Sequence, residues 1–132
     1  FLARGPDALA RARAAFAQAV RVYHEATRGY DVVLTPTLAT EPWHLGHLSP
    51  LLGREELVRR TGRAVGYTPI HNIAGCPAMS VPLHFQDGGL PIGMHFSAAP
   101  GNDARLLGLA YQLEAARPWK DRWPPYSIPA LF

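Results

Sequence analysis

Three groups of side chains in this sequence have types that could do covalent or metal chemistry. The first lies within YTPIHNIAGCPAMSVP, Tyr67 to Pro82, where the single cysteine, Cys76, follows His71 and Asn72. A thiolate paired with an imidazole is a nucleophile for acyl transfer. Such a pair needs an electropositive, partly open setting and a third group that orients the imidazole. Neither is legible here. His71 and Cys76 are separated by a helix stop, and Cys76 sits between a capping glycine and a proline that leads into an apolar strand. That placement reads as a packed structural cysteine.

The second group is His44 and His47 in HLGH, with Glu41 nearby. Their spacing would suit a metal if the segment were helical, with a further ligand from His71 or His95. Gly46, Pro42 and Pro50 make it a loop instead, and its histidines read as solvent-exposed. The third group is the serines: Ser49, Ser80, Ser97 and Ser127. None lies in a G-x-S-x-G elbow and no two are adjacent. GLPIG lacks the helix and lysine of a phosphate loop. The residues therefore supply no complete catalytic set, no metal site and no cofactor motif.

The elements that must position these groups follow from periodicity and punctuation. Residues 6–28 read as a helix that Pro6 and Asp7 start and Gly29 ends. Leu9, Ala12, Phe16, Ala19, Val20 and Tyr23 recur on one face of it. Val32, Val33 and Leu34 form a short β-branched run that predicts a buried strand, covered on both faces and ended by Pro36. Residues 37–52 keep no period and predict a long loop, a length that is often functional. GREELVRRTGRAV predicts a helix with Leu57, Val58, Thr61 and Val65 on one side. Thr68 and Pro69 predict the cap and first turn of a short helix that Gly75 stops near Ala74.

Beyond the joint, Met79, Val81, Leu83 and Phe85 alternate with smaller or polar residues. QDGG then signals a hairpin turn, and Ile92, Met94, Phe96 and Ala98 answer on the return strand. Pro82 and Pro91 must lie where no ladder donor is needed. Asn102 caps a last helix with Leu106, Leu109, Ala110 and Leu113 inward, and Pro118 stops it. Residues 119–132 read as an extended, proline- and aromatic-rich strap.

Composition narrows the classes. The chain has 132 residues, 48% hydrophobic and 17% charged, which fits a globular chain with a sizeable core. The net charge is +3, carried almost wholly by arginines spread along helices, with Lys120 the sole lysine. Interspersed charge of this kind reads as solvated helix faces, not a nucleic-acid footprint. No apolar run has the length of a membrane span. One cysteine permits no internal disulfide, which points to a reducing, cytoplasmic setting. The sequence opens on Phe1 and not Met, and it yields only about three strands where compact sheets average five or six. Both observations lead us to expect a piece of a longer protein. Alone, such a truncated sheet should expose an edge and favour homo-oligomers.

YDVVLTPTLATEP, YTPIHNIAGCPAMSVPLHFQDGGLPIGMHF and NDARLLGLAYQLEAARPW together resemble the C-terminal part of the amidase signature family, over nearly the whole chain. The specific core is Asn72, Gly75, Pro77, Ala78, Ser80, Val81 and Pro82, followed by Gly89, Leu90, Pro91 and Gly93. The nearest flavour is the bacterial amidases of the 6-aminohexanoate cyclic-dimer hydrolase type. The resemblance implies an α/β fold in which residues 1–132 are one incomplete domain. They would add about three strands, one plus a hairpin, to a mixed sheet flanked by helices. It also implies hydrolysis of carboxylic amide C–N bonds through a Ser–Ser–Lys acyl-enzyme mechanism, with no cofactor.

The family's lysine and its glycine- and serine-rich signature lie toward the N-terminus, and nothing here matches them. No catalytic residue is therefore carried over, and the segment alone is expected to be inactive. Its partners would be the remainder of the same chain and a small amide substrate. Thr37, Trp43, Tyr67, Thr68, His71 and Cys76 are the candidate wall of the substrate pocket. The glutamine-amidotransferase branch carries an aspartate just before the equivalent short helix. Here AVGYTP has no acid, which implies a less charged or bulkier acyl group. The rival reading is a free-standing, non-catalytic binding domain derived from the same fold.

Overall fold

The computed structural model of the chain describes residues 5, 7–87, 89–124 and 127. In chain order the elements are α1 (Ala8–Thr27), β1 (Val33–Pro36), α2 (Arg54–Ala64), α3 (Pro69–Ala74), β2 (Ala78–Phe85), β3 (Pro91–Ser97) and α4 (Asp103–Ala116). The strands form one sheet in the order β1–β3–β2, and both pairings are antiparallel. This is the α/β arrangement that the sequence predicts, a strand and a hairpin flanked by helices.

Register decides which side chains share a face, because strand residues alternate sides. Leu34, Phe96 and Met79 stand in one row, and Pro36, Met94 and Val81 in the next row of the same face. Thr35, His95 and Ser80 form the row between, and so belong to the opposite face. The first face is apolar. Val81, Phe96, Ala98 and Leu106 form its buried centre, with Met79, Leu83, Met94, Leu109, Leu113 and Trp119 packed around them. Burying each of the larger side chains contributes about 1.5–3 kcal/mol. The expected inward face of α4 is the one observed.

The prolines fall where the ladder tolerates them. Pro82 sits in a bulge, where β2 spends one residue more than β3 between Val81 and His84. Pro91 is the first residue of β3. The connecting turn closes with the Gln86 amide donating to the Leu90 carbonyl at 2.9 Å, and Gly89 takes φ 79°. Gly29 and Gly75, the predicted helix terminators, both have positive φ, 95° and 66°.

Four expectations need correction. The strand runs Val33–Pro36, and among the described residues it lies at the sheet edge with β3 as its one neighbour; Leu34 is 52% exposed. The covering helix α4 packs on β2 at the opposite edge. The apolar stripe of α1 is half-buried only toward its C-terminal end, around Ala19, Val20 and Tyr23, while Leu9 and Phe16 stand more than half exposed. Length explains this: a helix of 20 residues runs about 30 Å, whereas its packing partner α3, with 6 residues, runs about 9 Å.

On α2 the inward face is Leu57, Thr61 and Ala64, and Val58 and Val65 point outward. Lastly, Thr68 and Asn102 occupy cap positions without making side-chain cap bonds. Asn102 Nδ2 instead donates to the Ala99 carbonyl at 3.1 Å, tightening the preceding turn. Of the strap at 119–132, residues 119–124 and 127 are described, and the rest of that expectation falls outside the described residues, as does Pro6. Within it the Arg122 guanidinium lies over the Phe85 ring at 4.4 Å from the centroid.

A Cβ at Gly75 would meet nothing within 4 Å, so replacing this residue tests backbone conformation alone. Gly75→Ala should lower stability by roughly 1–2 kcal/mol, the cost of left-handed backbone for an L-residue. Urea melts of the two proteins followed by circular dichroism check this, and an unchanged midpoint would contradict it.

Candidate functional site

The second face of the sheet is polar, yet its central strand is buried. His95 is 6% exposed and Ser97 1%. They are covered by α1 and α3, which bring Tyr23 and His71 down onto β3. The His71 and His95 rings lie 4.7 Å apart between centroids, tilted by 49°. Tyr23 meets His71 edge-on at 5.4 Å. The Tyr23 hydroxyl and Ser97 Oγ pair at 3.3 Å, and Thr35 Oγ1 pairs with His95 Nδ1 at 3.3 Å. These contacts join four elements, α1, β1, α3 and β3.

The electrostatics of this joint favour neutral imidazoles. Burial lowers the pKa of His71, opposed weakly by the Thr68 backbone. Burial also lowers that of His95, and the charge that His71 would carry adds to the effect. Among the described residues no carboxylate shifts either ring. Both ring nitrogens of His71 are enclosed and lack a hydrogen-bond partner. Desolvation outweighs the help from the Thr68 backbone, so the ring is held as a neutral, packed imidazole.

Local sequence explains how His71 gets there. Pro69 starts α3, Gly75 ends it in left-handed backbone, and the Cys76 amide donates to the His71 carbonyl at 2.9 Å. That bond folds the chain back beneath the helix. Cys76 is half-buried, its Sγ donates to the Ala74 carbonyl at 3.9 Å, and burial pushes its thiol pKa up. A raised pKa disfavours the thiolate and with it nucleophilic reactivity. The space that Cys76 shares with Tyr23, Val33 and Ser97 is about 10 Å³, barely room for one water.

Further along the same face, Thr37 Oγ1 and Ser80 Oγ are 2.6 Å apart. Gly93 lies beneath them; a Cβ there would come within 2.6 Å of both hydroxyls. Thr37, Leu38, Thr40, Pro42, Pro91, Ile92 and Gly93 enclose a cavity of about 120 Å³. The loop that forms its outer wall is anchored to α2. The Ala39 amide donates to the Ala64 carbonyl at 2.8 Å, and Arg60 Nη1 donates to the His47 carbonyl at 2.8 Å. Arg60 and Arg59 also clamp Glu56 and hold its carboxyl at about 2.

The six candidate wall residues thus fall in three places. His71 and Cys76 adjoin the buried joint, with Thr68 at the start of α3 and Tyr67, 40% exposed, just before it. Thr37 lies on the cavity beside Gly93. Trp43 is separate: it is half-buried against His47, ring centroids 4.9 Å apart, in a loop that walls only its own open hollow of about 430 Å³. Sequence reasoning passed over Ser80, His95 and Ser97 as site residues. The available signal was a strand, MHFS, that alternates polar and apolar yet must be central once it is flanked by two partners.

Among the described residues no three His, Cys, Asp or Glu side chains converge as metal ligands. Each serine is engaged without a base. Ser49 accepts from the Leu51 amide, Ser80 pairs with Thr37, Ser97 pairs with Tyr23, and Ser127 donates to the Pro124 carbonyl.

Comparison with known proteins locates these features. The family model described as Amidase matches residues 5–107. The Mycobacterium tuberculosis protein named "Putative amidase AmiC" is 42% identical over 118 residues, 89% of this chain and 24% of its own length. The 6-aminohexanoate-cyclic-dimer hydrolase of Pseudomonas sp. is 33% identical over 108 residues, 77% of this chain and 22% of its own. A solved structure of 6-aminohexanoate cyclic dimer hydrolase superposes with a TM-score of 0.61 at 31% identity, covering 81% of this chain and 23% of that one. The same enzyme complexed with substrate superposes equally well. The chain spans about a quarter of the length of the relatives it matches.

Two outcomes follow from the joint. A histidine whose folded pKa is depressed leaves the unfolded state binding more protons once the pH falls below about 6.5. Stability should therefore be flat above neutrality and fall as pH drops below about 6.5, by at most about 1.4 kcal/mol per pH unit for each imidazole. Urea midpoints between pH 8 and 5 measure it. His71→Phe, which removes one titrating ring and two partnerless nitrogens, should flatten the decline without loss at pH 8. A pH profile unchanged by that substitution would contradict the assignment. Separately, Cys76 should react with iodoacetamide at least tenfold more slowly in the folded chain than in urea, as read by mass spectrometry.

Proposed function

The chain belongs to the amidase family, and on that premise we propose that residues 1–132 are the C-terminal segment of one incomplete amidase domain. The whole protein hydrolyses carboxylic amide C–N bonds. A serine of a Ser–Ser–Lys set, outside this segment, attacks the amide carbonyl and forms an acyl-enzyme. Backbone N–H groups hold the oxyanion while the amine leaves. The substrate is a small neutral amide of the kind that the relatives' names indicate, such as the 6-aminohexanoate cyclic dimer. The segment's partners are the remainder of the same chain and that substrate, and its setting is the cytoplasm.

The observation that carries this reading is a match that combines with a deficiency. Family similarity runs through residues 5–107, while every serine is bonded to a partner that cannot act as its base. A nucleophilic serine needs an adjacent base and an orienting third group. What the chain does supply is architecture: a sheet, a helix-capped joint and a hydroxyl-lined cleft.

Purified 1–132 should show no turnover of 6-aminohexanoate cyclic dimer or of p-nitroacetanilide above the buffer blank. Hydrolysis that disappears when Ser80, Ser97 or Cys76 is replaced would overturn the proposal. The mass of the source protein separates it from a free-standing binding domain. A species near 14.4 kDa favours the latter.

A further inference from the structure

The segment between β1 and α2 folds back along α2. Its start is tied to the end of that helix, where the Ala39 amide donates to the Ala64 carbonyl at 2.8 Å. Its middle is tied one turn earlier, where Arg60 Nη1 donates to the His47 carbonyl at 2.8 Å. Its end runs into the helix through Gly53. The other hydrogen bonds of residues 43–52 stay within the loop. The amides of His47, Ser49 and Leu52 donate to the carbonyls of His44, Gly46 and Ser49, and the Leu51 amide donates to Ser49 Oγ. These turns shape the loop without attaching it to anything. Leu45 and Leu51 stand in solvent and anchor nothing. Among the described residues, the Arg60–His47 bond is therefore the one hydrogen bond that ties 43–52 to another element.

The Arg60 guanidinium is used at two edges. Its Nε donates to Glu56 Oε1 at 2.6 Å while Nη1 reaches His47. The group is planar and rigid, so fixing Nε on a carboxylate one turn back aims Nη1 at the loop. Glu56 stays ionised for this task, its carboxyl held at about 2 by Arg59 and Arg60. Arg59 binds the same carboxylate twice, through Nε at 2.7 Å and Nη2 at 2.6 Å, and neither bond reaches the loop. The side chain of Arg60 is 27% exposed and that of Arg59 50%, in keeping with one arginine lying under the loop and the other beside it.

We propose that Arg60, aimed by Glu56, is a latch that holds the 43–52 loop on α2. It is thereby the positioning residue for the Trp43 and His47 rings, which pack 4.9 Å apart on that loop. With the bond made, both rings are fixed relative to the helix. With it broken, the loop pivots between Ala39 and Gly53. The amidase reading gives the latch its biological meaning, since Trp43 is a candidate wall residue there. The latch itself is measurable without catalysis and stands if that reading fails.

Arg60→Met keeps most of the stem and removes both bonds. In isotope-labelled 1–132 it should move the Trp43 indole N–H resonance, assigned by its loss in Trp43→Phe. It should also speed thermolysin cleavage within 43–52 roughly tenfold, the scale of one hydrogen bond to a charged group. The Trp119 resonance and the urea midpoint should stay in place. Arg60→Lys should behave like Arg60→Met, because a single ammonium cannot reproduce the two-edged fork. Arg59→Met should change cleavage by less than about twofold, as expected for an exposed ion pair. Unchanged cleavage and an unmoved Trp43 signal in Arg60→Met, full rescue by Arg60→Lys, or equal acceleration in Arg59→Met would overturn the latch. So would a lowered urea midpoint with cleavage rising equally in the sheet, which would make Arg60 a residue of general stability.

Discussion

The structure depends on one constraint: β3 is buried on both faces by layers of opposite character. Phe96 and Met94 must meet the aliphatic side of α4, while His95 and Ser97 must meet α1 and α3. A one-residue slip would exchange these sets and place imidazole against leucine. Register is therefore specified twice over, once by apolar burial and once by polar complementarity. The bulge at Pro82 belongs to the same constraint. It absorbs one residue of β2 after the Ala78–Val81 pairing is set, so the hairpin can turn without disturbing the rows above.

The polar layer has an energetic cost that the apolar one lacks. Enclosing both nitrogens of His71 without partners costs about 1–3 kcal/mol relative to a satisfied ring. The neighbouring Tyr23–Ser97 and Thr35–His95 contacts, at 3.3 Å, are long for hydrogen bonds involving hydroxyls and offset only part of it. The layer that covers β3 on this side is accordingly held by ring packing more than by hydrogen bonds. Its integrity is therefore tied to the protonation state of two imidazoles.

How much of this was legible in the sequence varied with the reach of the forces involved. Pro69, Gly75, Pro82, Pro91 and the QDGG turn act through their own backbone geometry, so their roles could be read locally and are the ones observed. The α4 face was equally readable, since its leucines share one period and one target. The failures were tertiary. The stripe on α1 is a true amphipathic pattern, but whether Leu9 and Phe16 are covered depends on how far α3 extends. Val32–Leu34 has the composition of an interior strand, and its edge position depends on sheet order. His95 and Ser97 looked like the outward half of an alternating strand, because alternation cannot say whether a second layer covers the polar side. The resemblance to amidases identified the family from residues such as Gly75 and Pro77, which shape a joint. It did not point to the polar residues of β3 that the joint covers.

The two glycines nearest the candidate site show why a family pattern and a site are different things. Gly75 is needed for its own φ, with empty space where a side chain would go. Gly93 has no such backbone demand, and is needed for what stands above it, two hydroxyls 2.6 Å apart that reach over β3 from its two sides. A glycine of the first kind preserves a fold and tolerates any occupant of the space around it. One of the second kind preserves a close approach, here of the Thr37 and Ser80 side chains to the backbone of β3. Cys76 and His71, the residues most suggestive of chemistry by type, are set by packing in the same way: one is half-buried beneath a helix end, the other is enclosed between Tyr23 and His95.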